Sequence, residues 1–399
     1  MRVYQKENLR KKEIIFLTAA FLKFLVQALN MSVIPTMIGA ETCQKLFKVF
    51  TYTSYLLVAL GVAISLDTSY SKRETVIMSI MLVVTVAGSI YSGNDILLLM
   101  LYVYGAKDIS IERVIRWFCA WMITAFVLIV AGSQIGLIEN WVFFAETSRP
   151  RWGLGYTYPT HTSSVLFMCV LLFCYVRKDK LSVWEILLIE AVNYWMYKYT
   201  DSRAGVMLVA LIPIVFYLMK FIKQPIRESK LECILKFSFL ICAAAIWIMT
   251  ICYNGTGILG KIDSILSSRL YYGQYSMRTY GVHLFGQKIQ WVGWGGIGYT
   301  KQELSGVYNY VDSSYLQLLL VNGLLVWTMI MVGWTITSIY AVNRNNRYLA
   351  WALAFLALYC MVEQWLMNLG ANPFLLFWAE PLFASSAQKT ISFSWDRKV

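Results

Sequence analysis

Runs of roughly 17 to 25 apolar residues recur from one end of this chain to the other, each about long enough to carry a helix across a 30 Å hydrocarbon layer. In such a layer the backbone must satisfy its own hydrogen bonds, so runs of this length call for helices. With 58% of its 399 residues hydrophobic and 14% charged, the chain has too few polar side chains to coat a soluble domain of that size. The expected fold class is an all-α polytopic membrane protein, one membrane domain over 1–399.

The runs place spans near 14–33, 49–66, 76–92, 95–106, 114–137, 160–176, 181–199, 204–222, 231–253, 312–340, 348–368 and 372–386, about twelve transmembrane helices, or eleven if one of the weaker runs fails. The run at 95–106 is short enough to be re-entrant or half of a helical pair. A net charge of +13 points to nucleic acid in a soluble protein, but here the placement of the charge matters more. With the N-terminus cytoplasmic, about 23 of the 35 Lys and Arg fall on inner segments, as membrane proteins require. The expected topology is multi-pass with both termini cytoplasmic. Eight Cys lie scattered without a C-x-x-C spacing and read as small buried hydrophobes, with neither a disulfide framework nor a metal site.

Two outer connections stand out by length, 138–159 and the large loop 254–311 before the last three spans. The large loop is rich in Tyr, Trp and Gly, including Tyr271-Tyr272-Gly273 and Trp291-Val292-Gly293-Trp294, and is expected to be ordered, with short helices on the membrane surface.

Basic residues on the outer side run against the charge bias and need a local reason. They include Arg149, Arg151, Arg203, Arg269 and Arg278. The rigid fork of arginine suits pyrophosphate or carboxylate oxygens; lipid headgroups or Glu139 and Glu146 would serve as well. Thr200-Asp201-Ser202-Arg203-Ala204-Gly205 opens a span, where Asp201 or Ser202 fits a helix cap. Arg203 fits poorly at the positive end of a helix dipole unless an anion is bound there. Val311-Asp312-Ser313-Ser314-Tyr315-Leu316 opens another span, with Asp312 either a cap or a carboxylate base for a sugar hydroxyl. His161, after Pro159-Thr160, and His283, in the large loop, are the two histidines, and neither has triad-like neighbours in sequence. Glu363, deep in an apolar run, is expected to face the bundle interior or a cavity, with Lys23 as a candidate partner. No D-x-D and no G-x-x-x-x-G-K-[ST] occurs, which argues against a metal-dependent nucleotide-sugar transferase and against nucleotide binding.

Arg151-Trp152-Gly153-Leu154-Gly155-Tyr156 with Pro159-Thr160-His161, then Thr200 to Gly205, then Gly293-Trp294-Gly295-Gly296-Ile297-Gly298-Tyr299, then Asp312 to Leu316 with Gly323 beyond, resembles the O-antigen polymerase and O-antigen ligase superfamily in order and placement over roughly 140–330. The resemblance implies transfer of a glycan from undecaprenyl pyrophosphate to a hydroxyl, without metal, nucleotide or other cofactor. The acceptor is another lipid-linked repeat unit in polymerases of capsule, exopolysaccharide or O-antigen, and lipid A core in ligases. It implies that Arg151 and Arg203 neutralise the pyrophosphate, with Arg269 and Arg278 as basic residues of the large loop. The catalytic candidates are Arg151, Arg203, Asp312 and His161, and the substrate-binding candidates are Arg149, Asp201, Arg269, Arg278, His283 and Tyr315. Expected partners are undecaprenyl-pyrophosphate-linked oligosaccharides, the bilayer, and a chain-length regulator and flippase of the same pathway, with no nucleic acid. The chain departs from many ligases in having Val311-Asp312 where they carry a His before this span. A transporter or flippase of lipid-linked glycans is the alternative from another functional class, although the two halves of the chain look unlike.

Overall fold

The computed structural model describes residues 2–64, 70–143, 150–222, 224–293 and 308–384. Among them are sixteen α-helices and one two-residue β pairing. Seven of the helices are long and apolar enough to cross a membrane: α1 (Arg2–Met31), α3 (Ala40–Ile64), α4 (Lys72–Ser92), α6 (Ile111–Gln134), α7 (Pro159–Arg177), α9 (Arg203–Leu218) and α14 (Ser314–Asn343). Large apolar side chains such as Val83, Ile90, Leu128 and Leu188 face outward, which suits an environment as apolar as the core. Sequence fixes several helix starts directly. Ser71 with Glu74 and Ser182 with Glu185 form capping boxes at α4 and at α8 (Val183–Thr200).

The chain alternates between two ends of the bundle. Lys12, whose Nζ contacts the carbonyl of Lys107, and Arg113, paired with Glu13 at 2.7 Å, mark a basic end. The opposite end carries residues 135–143 and 150–158, with the pairing of β1 (Val142–Phe143) and β2 (Arg151–Trp152), and the described parts of the large loop. That loop contains α12 (Gly257–Ile265) and α13 (Arg269–Tyr280). Its segment 283–287 runs along a break in α14 at Gly323, whose φ of 79° no β-substituted residue adopts readily. Gln287 N bonds Val321 O at 2.9 Å, and Leu324 N bonds His283 O at 2.9 Å, so the loop takes up backbone groups released by the break.

Several expected spans take other forms. The run at 95–106 is a ten-residue helix, α5 (Ile96–Gly105), and 231–253 is divided between α10 (Glu232–Lys236) and α11 (Ser238–Ile251). The two last runs differ more. After α15 (Arg347–Tyr359) the chain leaves the helix, crosses the bundle interior as irregular backbone over 360–372, and turns through a 3-10 segment (Pro373–Trp378) into α16 (Ala379–Leu382). This return brings Glu380 back among the charges of Glu112, Lys178 and Arg344 at the basic end. Irregular backbone inside an apolar bundle needs internal partners. Ser314 N bonds Cys360 O at 3.0 Å, Leu366 N bonds Ser314 Oγ at 3.2 Å, and Asn372 Nδ2 bonds Leu366 O at 2.9 Å.

Candidate functional site

A polar cavity of about 880 Å³ opens among α1, α4, α7, α13, α14 and the irregular segment, on the side away from the basic end. Arg151, His161, Arg269, Asp312 and Glu363 all line it.

Arg269 owes its place to a cap supplied by the preceding helix. Buried Asp263 in α12 accepts the backbone N–H groups of Leu270 at 2.7 Å and Tyr271 at 3.3 Å, which fixes the start of α13, where Arg269 is the first residue. Its guanidinium then reaches across to the irregular segment. Nη2 lies 3.2 Å from Glu363 Oε1, Nε lies 3.3 Å from Asp312 Oδ2, and Nε also donates to Val362 O at 2.8 Å. The other Glu363 oxygen, Oε2, accepts from Ser164 Oγ of α7 at 3.0 Å. Burial raises the Asp312 carboxyl against the opposing pull of Arg269.

Arg151 approaches from the β pairing. Its Nε donates to Thr200 O at 2.8 Å, and its guanidinium carbon sits 5.8 Å from the Tyr158 ring centre. Connection 153–157 is stitched to the end of α1 by Val33 N to Gly155 O at 3.0 Å and Thr157 N to Met31 O at 2.9 Å. The φ of 86° at Gly155 and the close approach of Ile129 O leave no room there for a side chain.

This same stitching orients His161. Thr157 Oγ1 donates to Met31 O at 3.1 Å and lies 3.0 Å from His161 Nδ1. With the hydroxyl proton directed to the carbonyl, Nδ1 must carry the imidazole proton, and Nε2 is left with a lone pair. Among the described residues Nε2 has no hydrogen-bond partner.

The other candidates stand elsewhere. Arg203 is exposed at the first position of α9 and does not line the cavity. Asp201 is the left-handed C-cap of α8, not an N-cap of α9, and Ser202 makes no side-chain cap bond. Arg278 and His283 are exposed and outside the lining, with His283 Nε2 3.1 Å from Tyr280 O. Tyr315 is fully buried, its hydroxyl donating to Ala357 O at 2.8 Å, a packing role. Arg149 and Trp294 lie outside the described residues. Asp312 caps nothing; Ser313 holds the N-cap position of α14. Lys23 bonds Tyr55 Oη at 2.9 Å, and the partner of Glu363 is Arg269 instead.

Comparison with protein-family models, curated proteins and solved structures gave no match to this chain.

Proposed function

We propose that this protein is a polymerase that joins undecaprenyl-pyrophosphate-linked oligosaccharide repeat units into a longer polysaccharide on the extracytoplasmic face of a bacterial cytoplasmic membrane. The observation that carries this reading is the convergence of Arg151 and Arg269 from two separate connections onto one deep polar cavity, with His161 beside them. The charge bias along the sequence supports a cytoplasmic basic end, with the cavity on the other side.

In the proposed reaction the acceptor hydroxyl oxygen bonds to the anomeric carbon of the donor glycan, on the face opposite the leaving group. The bond from that carbon to the pyrophosphate oxygen breaks, its electron pair leaves with the oxygen, and the configuration inverts. His161 Nε2 takes the hydroxyl proton, a role for which the Thr157 contact holds it in the right tautomer. Arg151 and Arg269 take up the charge that develops on the departing pyrophosphate. Asp312, the first expectation for the base, faces Arg269 and serves better to hold that guanidinium. Tyr272 and Trp291 line the cavity and offer faces for sugar rings.

A ligase would share this bond chemistry and differ in its acceptor. A transporter is the reading favoured by one observation, the irregular backbone at 360–372 inside the bundle, a device transporters use around substrate sites. Deleting the protein separates the readings. A polymerase defect leaves single lipid-linked units outside the membrane and no polymer ladder, restored by the wild-type chain and not by Arg269→Ala; units trapped on the cytoplasmic face would make the protein a flippase.

A further inference from the structure

The cavity extends beyond Arg269 to a second group of polar side chains that the transfer chemistry does not use. Lys23 lies eight residues before the end of α1, about 12 Å down the helix at 1.5 Å per residue. One of its three donors goes to Tyr55 Oη at 2.9 Å, and Nζ sits 4.9 Å from that ring centre. Lys288 lines the same cavity and runs past Gly93, where a Cβ would meet its Cε at 3.1 Å. Asp95 lines the cavity near these lysines, whereas its other carboxylates among the described residues, Asp312 and Glu363, pair with Arg269. Neither lysine makes an ion pair within 4.0 Å among the described residues.

The rest of the arm is rich in carboxamides. Gln27, Asn30, Asn94, Asn322 and Asn368 line it. Helix-to-helix adhesion accounts for part of this set, since Asn368 Nδ2 donates to Gln27 Oε1 at 2.9 Å and Asn322 Nδ2 approaches Ser92 Oγ at 3.5 Å. It does not account for Asn30 and Asn94, which are exposed to the cavity, or for Lys288. Amides present both donors and acceptors, which is what ring hydroxyls need, and Tyr55 and Trp291 supply apolar faces. Two lysines beside amides suit a ligand that carries carboxylate groups among hydroxyls.

We propose that this arm is a second ligand subsite that takes an acidic sugar of the acceptor glycan, with Lys23 and Lys288 holding its carboxylate and the amides its hydroxyls. The word acceptor rests on the polymerase reading; the binding of an acidic sugar does not.

The full chain in lipid nanodiscs, probed by saturation-transfer NMR with a dihexuronate and with the neutral disaccharide of the same configuration, tests this directly. The dihexuronate is expected to bind about tenfold more tightly. Lys23→Gln and Lys288→Gln should each remove that preference, whereas Arg151→Gln should retain it. Lys288 is exposed, so its variant guards against a folding failure in Lys23→Gln. Equal binding of the two sugars, loss of the preference in Arg151→Gln alone, or displacement of the dihexuronate by inorganic pyrophosphate would overturn the proposal. If the preference persists in a protein that makes no polymer, the subsite stands and the polymerase reading falls. If polymer forms and no preference is seen, the subsite falls alone.

Discussion

Arg269 Nη2 and Glu363 Oε1 meet at 3.2 Å across 94 residues of sequence, joining the large loop to the irregular segment inside the bundle. Both side chains are only 11% exposed, and Asp312 adds a second carboxylate to the same guanidinium. Removing one member of such a group strands the others without compensation. Arg269→Met should therefore lower stability by about 3–5 kcal/mol. The triple variant Arg269→Met, Asp312→Asn, Glu363→Gln should recover much of that loss, because no buried charge remains unpaired. Thermal unfolding in detergent decides the matter: equal destabilisation in the single and triple variants would mean that charge pairing is not what the group contributes.

In the proposed reaction Thr157 acts through His161. Thr157→Val removes the acceptor that holds the Nδ1 proton, and glycan transfer should drop by about tenfold or more while Thr157→Ser stays close to wild type. His161→Gln should cost roughly 10²–10⁴ in turnover. A matching loss in Thr157→Ser would assign the threonine to packing and not to tautomer control.

Arg151 and Arg203 make a paired test of the cavity. Arg151 lines it and Arg203 does not, so Arg151→Ala should abolish polymer formation and Arg203→Ala should leave it within about twofold of wild type. Loss of the ladder in Arg203→Ala at matched membrane levels would place the anion at the α9 start, as the helix-dipole reading of the sequence has it.

Gly323 tests the docking of the large loop. A Cβ at this position would lie 2.2 Å from Gly286 N, and the left-handed backbone adds strain of about 1–3 kcal/mol. Gly323→Ala should detach segment 283–287 from α14, seen as new proteolytic cleavage in the large loop; an unchanged digestion pattern would show that the break does not depend on glycine.

The helical bundle was legible because apolar runs of membrane length leave a chain few alternatives; Arg151 and Arg269 stood out as basic residues on the outer side against the charge bias, and His161 and Asp312 as polar residues at the entry of apolar runs. Arg203 shows the limit of that reasoning. Its conflict with the helix dipole is local, whereas cavity lining depends on which connections meet in space. Glu363 was visible as a costly residue, but its partner was not, since nothing in the spacing joins it to Arg269 more than to Lys23. The irregular segment 360–372 was hidden for a physical reason. Its composition is as apolar as a span, and what breaks the helix is a set of bonds from Ser314, Asn372 and Arg269, two of them distant in sequence.

If Arg151 and Arg269 serve one transfer of glycan from polyprenyl pyrophosphate, growth of the glycan and release of the lipid pyrophosphate are two readouts of one event. The most direct measurement supplies purified protein in nanodiscs with an undecaprenyl-pyrophosphate-linked oligosaccharide and follows glycan length and free undecaprenyl pyrophosphate together. One free lipid pyrophosphate is expected for each unit added, with both products lost in Arg151→Ala and in Arg269→Lys. Lengthening that survives in both variants, or vesicle-to-vesicle movement of the lipid-linked unit with no release of pyrophosphate, would contradict it.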